Sequence, residues 1–230
     1  FAFLCHRRFG IGADGVILLN HHADYDFEMD YFNSDGRRSS MCGNGGRCIV
    51  RFASELGMVG ETIRFIAIDG PHEALLTEHG VKLKMTEPSD YKTLDSGDHW
   101  IDTGSPHYVR FLDLPVAEYP VVAKGRQIRN SEPWAAAGTN VNFACSRHDG
   151  GLDVRTYERG VEDETWSCGT GVTAVAEVHF RLGRHAVADG PVLLHTPGGL
   201  LRVHVSPANP PWLEGPATPV FSGTLPPNPS

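Results

Sequence analysis

Met41-Cys42-Gly43-Asn44-Gly45 and Ser167-Cys168-Gly169-Thr170-Gly171 are two copies of one pattern in this 230-residue chain. Each sets a cysteine before Gly-x-Gly, and each opens a stretch with apolar residues at helical spacing. Leu56-Gly57 follows Cys42 by 14 and 15 residues, and Leu182-Gly183 follows Cys168 by the same distances. The cysteines are 126 positions apart, which predicts a duplicated unit with one thiol in each copy at an equivalent place. In the first copy the spacing predicts a helix from Cys42 to Leu56 with Cys48, Ile49, Phe52, Ala53 and Leu56 on its core face, stopped by Gly57. In the second it predicts a helix from Cys168 to Leu182, with Val172, Val175, Ala176 and Leu182 inward.

The surroundings repeat as well. Val16–Leu19 and the alternating Asp26–Phe32 read as strands before the first helix, with Asn33-Ser34-Asp35-Gly36 as a turn. Thr62–Ile68, Glu73–Thr77 and Val81–Met85 read as three strands after it. Around the second helix, Leu152–Tyr157 precedes, and Val192–His195 and Leu200–Val205 follow as a hairpin about Pro197-Gly198-Gly199. The polar run Ser89–Asp98 reads as the linker between halves, Pro207–Pro211 as a loop, and Pro226–Ser230 as a frayed tail. The opening Phe1-Ala2-Phe3-Leu4 reads as the start of a fragment whose own amino terminus lies upstream.

Composition narrows the function classes. Hydrophobic content of 40% and charged content of 21% are those of an ordinary globular protein. A net charge of −8 argues against a general nucleic-acid binder, which needs a basic surface. No apolar run is long enough to span a membrane, and no secretion signal is visible. Five cysteines without a framework spacing fit a reducing, cytoplasmic setting.

The motifs carry the chemistry. Gly10-x-Gly12-x-x-Gly15 matches a dinucleotide-binding pattern by letter, but Val16-Ile17-Leu18-Leu19 continues it as a strand rather than a helix, so it reads as a turn-rich loop. Cys42-x5-Cys48 lacks the spacing and further ligands of a metal site; Cys48, nearly two turns into the helix, is expected to be an inert buried thiol. Cys5 and Cys145 are expected to be structural. Cys42 and Cys168 differ: a thiol at a helix N-terminus meets the positive end of the helix dipole, which favours its thiolate. The glycines after it leave backbone N–H groups open to a carboxylate. Tyr157-Glu158-Arg159-Gly160 and Phe32-Asn33-Ser34-Asp35-Gly36 stand before the two cysteines and are expected to line one cleft. There Arg159 suits a carboxylate and Glu158 an ammonium group. Two matched thiols suit proton removal from one face of a carbon and delivery to the other.

Arg8–Gly15, Phe32-Asn33-x-Asp35-Gly36, Met41–Cys48, Gly104-x-Pro106-His107, Asn140-Val-Asn-Phe143, Tyr157–Gly160 and Cys168–Gly171 together resemble the diaminopimelate epimerase family, in its motif order and over almost the whole chain. The resemblance implies an α+β fold of two pseudo-symmetric domains, each a mixed or antiparallel sheet wrapped around a central helix. It implies domains at 1–88 and 89–218, with a C-terminal strand in 219–230 returning to the first. The implied activity is cofactor-independent epimerisation of LL-diaminopimelate to the meso form, with Cys42 and Cys168 as a base and acid pair. By motif position, Gly43, Asn44, Gly169 and Thr170 would hold the α-carboxylate through backbone donors. Asn33, Asn140 and Arg159 would hold the distal end, and His107 and Glu158 would tune the thiols, His107 beside Cys42. No metal or cofactor is implied, nor a nucleic-acid or membrane partner; the partners implied are the amino-acid substrate and a second copy in a homodimer.

Three departures from the family pattern stand out. Its amino-terminal Gly-Asn-Asp-Phe segment is absent, Ser105 replaces an Asn, and Gly46 and Arg37-Arg38-Ser39-Ser40 differ from the commonest version. Ser105 motivates a rival, a related racemase of another amino acid. A rival of a different class is a metal- or redox-binding module using Cys42, Cys48 and Cys168.

Overall fold

The computed structural model describes residues 1–225. The first half runs α1 (Ala2–Cys5), β1 (Gly15–Asn20), β2 (Phe27–Asn33), β3 (Arg38–Ser39), α2 (Gly43–Glu55), β4 (Thr62–Ala67), β5 (Gly70–Thr77) and β6 (Gly80–Lys84). The second runs β7 (Ser89–Thr93), β8 (His99–Asp102), β9 (Pro106–Phe111), α3 (Val121–Arg129), β10 (Asn140–Ser146), β11 (Leu152–Glu158) and β12 (Asp163–Thr165). It continues with α4 (Gly169–Arg181), β13 (Val192–Thr196), β14 (Gly199–His204) and β15 (Trp212–Gly215).

The strands form one mixed sheet in the order β1-β2-β4-β5-β6-β15-β14-β13-β11-β10-β9-β8-β7, with β3 on β2 and β12 on β11. The duplication is visible in that order. In each half an antiparallel pair, β1·β2 or β10·β11, is followed by a short flanking strand. A Cys-opened helix then crosses over to a parallel strand, β2 to β4 or β11 to β13, and two antiparallel strands complete the unit. The two units join where β6 pairs antiparallel with β15. The class is α+β, and both helices end as their sequences predict, with Gly57 and Gly183 at the same φ of 68°.

The halves bury their helices differently. α4 packs against β8, β9, β10, β11, β13 and β14, so nearly every residue from Gly171 to His179 is buried. α2 packs against β1, β6 and α4, and buries Ile49, Val50 and Ala53 on one side. The expected inward stripe of α2 is therefore shifted. Cys48 is exposed rather than a buried inert thiol, and Phe52 and Leu56 are 51% and 55% exposed. The physical reason is that strands β8 and β9 of the sheet pack on the second helix and have no counterpart among the described residues around the first.

Two further corrections follow. Ser89–Asp98 is not only a linker, because Ser89–Thr93 pairs with β8 as the edge strand of the sheet. The strand that returns to the first half is Trp212–Gly215, before 219–230; residues 219–225 contain no strand, and Pro226–Ser230 lie outside the described residues. Cys5 and Cys145 are buried as expected.

Candidate active site

Each thiol residue is the N-cap of its helix: Cys42 for α2 and Cys168 for α4. The first N–H groups of each helix have no carbonyl of their own to pair with. The Cys42 Sγ already accepts one of them, from Gly45 N–H, at 3.3 Å. The two helix starts also touch. A Cβ built on Gly169 would sit 3.3 Å from the Gly43 Cα, and one on Gly43 would sit 3.5 Å from the Gly169 Cα. Both would press the Leu213 Cδ2 of β15, at 3.0 and 3.1 Å respectively. Glycine at 43 and 169 is thus what lets the two N-termini converge. Asn44 Nδ2 donates across the junction to the Ser167 carbonyl at 3.5 Å.

The environments of the thiols are unequal. Cys42 is exposed and Cys168 is buried, 8% exposed. Burial pushes the Cys168 thiol up to about 12, and the charges of Glu158 and Cys42 act in the same direction. The Thr170 hydroxyl, 3.5 Å from Sγ, and the Gly171 N–H pull the other way. Burial likewise raises Glu158 above the ordinary carboxylate range.

The floors behind the thiols correspond position by position. A Cβ on Gly45 would meet Cys42 Sγ at 3.3 Å and Ile17 Cδ1 at 3.4 Å. A Cβ on Gly171, the equivalent glycine, would meet Cys168 Sγ at 3.3 Å and Asn142 Oδ1 at 2.5 Å. Ile17 is paired with Tyr31 across β1·β2, and Asn142 with Thr156 across β10·β11. The same register makes Asn33, at the end of β2, the counterpart of Glu158, at the end of β11. The two segments before the cysteines are therefore structurally equivalent, as their order in the sequence suggests.

His107, at the start of β9, is fully buried. Asn142 Nδ2 donates to its Nδ1 at 3.1 Å and to the Tyr108 carbonyl at 2.9 Å, while Asn142 Oδ1 accepts from the Thr156 hydroxyl at 2.9 Å. A carbonyl can only accept, so the amide orientation is fixed, His107 Nδ1 is the acceptor and Nε2 carries the proton. Burial, then the nearby Arg159 charge, lowers the His107 pKa to about 3, so the ring is neutral. This chain leads from His107 through Asn142 to the Gly171 backbone beside Cys168. The expected place of His107 beside Cys42 finds no contact among the described residues.

Asn140 is closed in by the protein. Its Nδ2 donates to Ser105 Oγ at 2.9 Å and to the Pro106 carbonyl at 3.1 Å, and its Oδ1 accepts from the Arg159 N–H at 2.9 Å. It ties the Ser105 loop to the Arg159 turn, and Ser105 supplies one of those anchors. The Arg159 guanidinium is exposed and donates to the Ala137 carbonyl at 3.1 Å. Asn44 Oδ1 accepts from Arg47 at 2.8 Å, which leaves its backbone N–H at the helix start.

Two residues outside the sequence-derived set belong to this neighbourhood. Asn142 lies against Gly171 beside Cys168, and buried Thr103 donates to the Thr170 carbonyl at 2.9 Å. Asn142 carried a signal: two amides at 140 and 142 share one face of an otherwise apolar strand. Among the described residues no group of three or more His, Cys, Asp and Glu side chains is arranged to hold a metal ion.

Known proteins match both sequence and fold. The family model described as diaminopimelate epimerase matches residues 1–90 and 99–220. A diaminopimelate epimerase of Flavobacterium psychrophilum is 42% identical over 226 residues, covering 96% of this chain and 87% of that protein. One from Chlorobaculum tepidum is 42% identical over 229 residues, covering 96% and 89%. Among solved structures, a hydroxyproline epimerase from Agrobacterium vitis superposes with a TM-score of 0.65 at 17% identity, covering 94% of this chain and 76% of that one. A phenazine biosynthesis family protein from Enterococcus faecalis gives 0.63 at 15%, covering 88% and 79%. The last two share the fold.

Proposed function

The chain belongs to the diaminopimelate epimerase family and is an isomerase that epimerises diaminopimelate; we propose that Cys42 and Cys168 carry the reaction from opposite faces of one α-carbon. The observation that carries this reading is the contact of Gly43 with Gly169, which brings two thiol-capped helix starts to one point.

The Cys42 thiolate takes the α-proton, and the C–H bonding pair stays on the carbon, delocalised into the α-carboxylate. The Cys168 thiol gives its proton to the opposite face and is left as thiolate. In the reverse direction the roles exchange. Burial and the Glu158 charge keep Cys168 protonated, which suits the donor role. The α-carboxylate lies on the N–H groups of Gly43, Asn44, Gly169 and Thr170, where the two helix dipoles stabilise its growing negative charge. Asn33 and Arg159 meet the distal end, and Asn140 positions Arg159 from behind. His107 acts as a neutral group that orients Asn142 under Cys168, and Glu158 sets the protonation of that thiol. The thiols and helix dipoles take the place of a cofactor.

We take residues 1–88 and 89–218 as the two units that form the cleft, and read the protein as a cytoplasmic homodimer acting on a small molecule, with no nucleic-acid partner. The net charge of −8 and five free thiols support the last points. Among the described residues no helix is long and apolar enough to cross a membrane.

Cys42→Ser and Cys168→Ser test the pair. Each is expected to keep the fold by circular dichroism and to lose about 10²–10⁴-fold in epimerisation of diaminopimelate. Wild-type turnover in either variant would remove the two-thiol mechanism. Proline, hydroxyproline and histidine should undergo no α-proton exchange in D2O; exchange with these alone would overturn the substrate assignment.

A further inference from the structure

Arg47 belongs to the first cysteine motif, sits just over one turn into α2, and is 6% exposed. Its guanidinium is held by oxygens that carry no charge. Nη1 donates to the Gly43 carbonyl at 3.1 Å, Nη2 to Asn44 Oδ1 at 2.8 Å and Nε to the Pro216 carbonyl at 3.3 Å. Gly215, at the end of β15, leaves room for it, since a Cβ there would come within 3.3 Å of Nε and 3.5 Å of Cζ. Among the described residues no carboxylate forms an ion pair with it, and the anions whose charges reach it are the thiolates of Cys48 and Cys42. Burial lowers its pKa, but a guanidinium stays protonated at neutral pH. A buried cation without a counter-ion is costly, and folds keep such costs where the charge is used. The repeat offers a control. The equivalent place in α4, five residues after its cysteine, is buried Thr173, whose hydroxyl donates to the Gly169 carbonyl at 2.9 Å. Both halves thus bond the carbonyl of the first helical residue from behind, one with a cation and the other with a neutral group.

We infer that Arg47 is a positioning residue for the reaction, a buried cation behind the Gly43–Asn44 peptide that stands as counter-charge to the substrate's α-carboxylate at the first helix start. The carbonyl that Nη1 bonds belongs to the same peptide group as the Asn44 N–H. A hydrogen bond to that oxygen polarises the amide and makes its N–H a stronger donor. As the α-proton leaves, negative charge grows on the carboxylate, so the pull of a fixed cation behind its donors is strongest in the transition state. The Nη2 bond to Asn44 Oδ1 also fixes that amide, which leaves Nδ2 to reach the Ser167 carbonyl at 3.5 Å and tie the two helix starts together. Thr173 gives the Gly169–Thr170 peptide the same bond without the charge.

This role rests on the two-thiol site proposed above, and its test separates from that reading by charge. Arg47→Met removes the cation and keeps an apolar side chain, whereas Arg47→Lys keeps the cation without the planar fork. With diaminopimelate as substrate, kcat is expected to fall about 10²-fold in Arg47→Met and about tenfold in Arg47→Lys, with KM within about threefold of wild type in both. Arg47→Ala leaves a cavity for chemical rescue. Guanidinium chloride, far below denaturing concentrations, should raise its kcat about tenfold, and urea, of the same shape but neutral, should not. Equal rescue by both compounds, or by neither, shows a packing role and overturns the inference. So does a kcat in Arg47→Met no lower than in Arg47→Lys, a comparison that decides the matter alone if circular dichroism shows Arg47→Ala unfolded. Failure of the two-thiol reading would appear elsewhere, as turnover in Cys42→Ser.

Discussion

Under Cys168 lies a buried amide network of Asn142, His107, Thr156 and Tyr108; under Cys42 lie an isoleucine and a methionine. The backbone is nearly the same in both places, down to the glycine one turn into each helix. The difference teaches that duplication supplied the two-faced geometry, whereas unlike side chains in the strands behind it gave the thiols different surroundings. The buried thiol beside Glu158 is held protonated, and the exposed one accepts from the Gly45 N–H.

The comparison breaks most sharply at the paired glycines. Gly171→Ala would drive a Cβ to 2.5 Å from Asn142 Oδ1, an atom fixed by its own hydrogen bonds. The expected cost is about 1–3 kcal/mol of stability, with a marked loss of activity as the network under Cys168 shifts. Gly45→Ala meets Met29 Cε and Ile17 Cδ1 at 3.3 and 3.4 Å, the ends of side chains that can move. Its strain is offset by the helix propensity of alanine, so stability should stay within about 1 kcal/mol of wild type. Urea denaturation of the two variants decides this; equal losses would mean that the floors are mechanically alike.

A smaller and graded effect follows from acid. Three buried histidines of the second half are lowered chiefly by burial: His107 to about 3, His179 to about 4, and His99 below its ordinary value. A histidine kept neutral in the fold stabilises it above the ordinary histidine pKa of about 6.5. As pH falls below that value the unfolded chain binds protons that the fold refuses, so stability is lost progressively toward pH 4 and then 3. Hydrogen exchange at decreasing pH should show β9, β10 and α4 losing protection before α2 and β4–β6. Uniform loss across both halves would contradict this.

What the sequence shows and what it hides divides along physical lines. Helix starts and stops are local, and Cys42, Cys168, Gly57 and Gly183 mark them without reference to the rest of the chain. The face that a helix buries is not local. The stripe Cys48, Phe52 and Leu56 has ideal spacing, yet whether it is covered depends on strands elsewhere. The β7 strand was hidden because an exposed edge strand needs no apolar alternation, and Ser89–Thr93 has none. The site follows the same rule. The thiols and their backbone donors stand in the motifs, whereas the tie of Asn142 to His107, 35 residues away, arises from strand register. Asn140 shows the converse. Its motif places it near the site, but its amide is already committed to Ser105, Pro106 and Arg159.

The central claim is that two unlike thiols work on one carbon from opposite faces. It is tested most directly by running LL-diaminopimelate to low conversion in D2O and reading deuterium at the α-carbon of product and recovered substrate by mass spectrometry and NMR. Two thiols predict a meso product carrying solvent deuterium at the inverted centre and recovered substrate almost free of it. Protium carried over into the product, or equal deuterium in both pools from the first turnovers, would point to a single base and contradict the account.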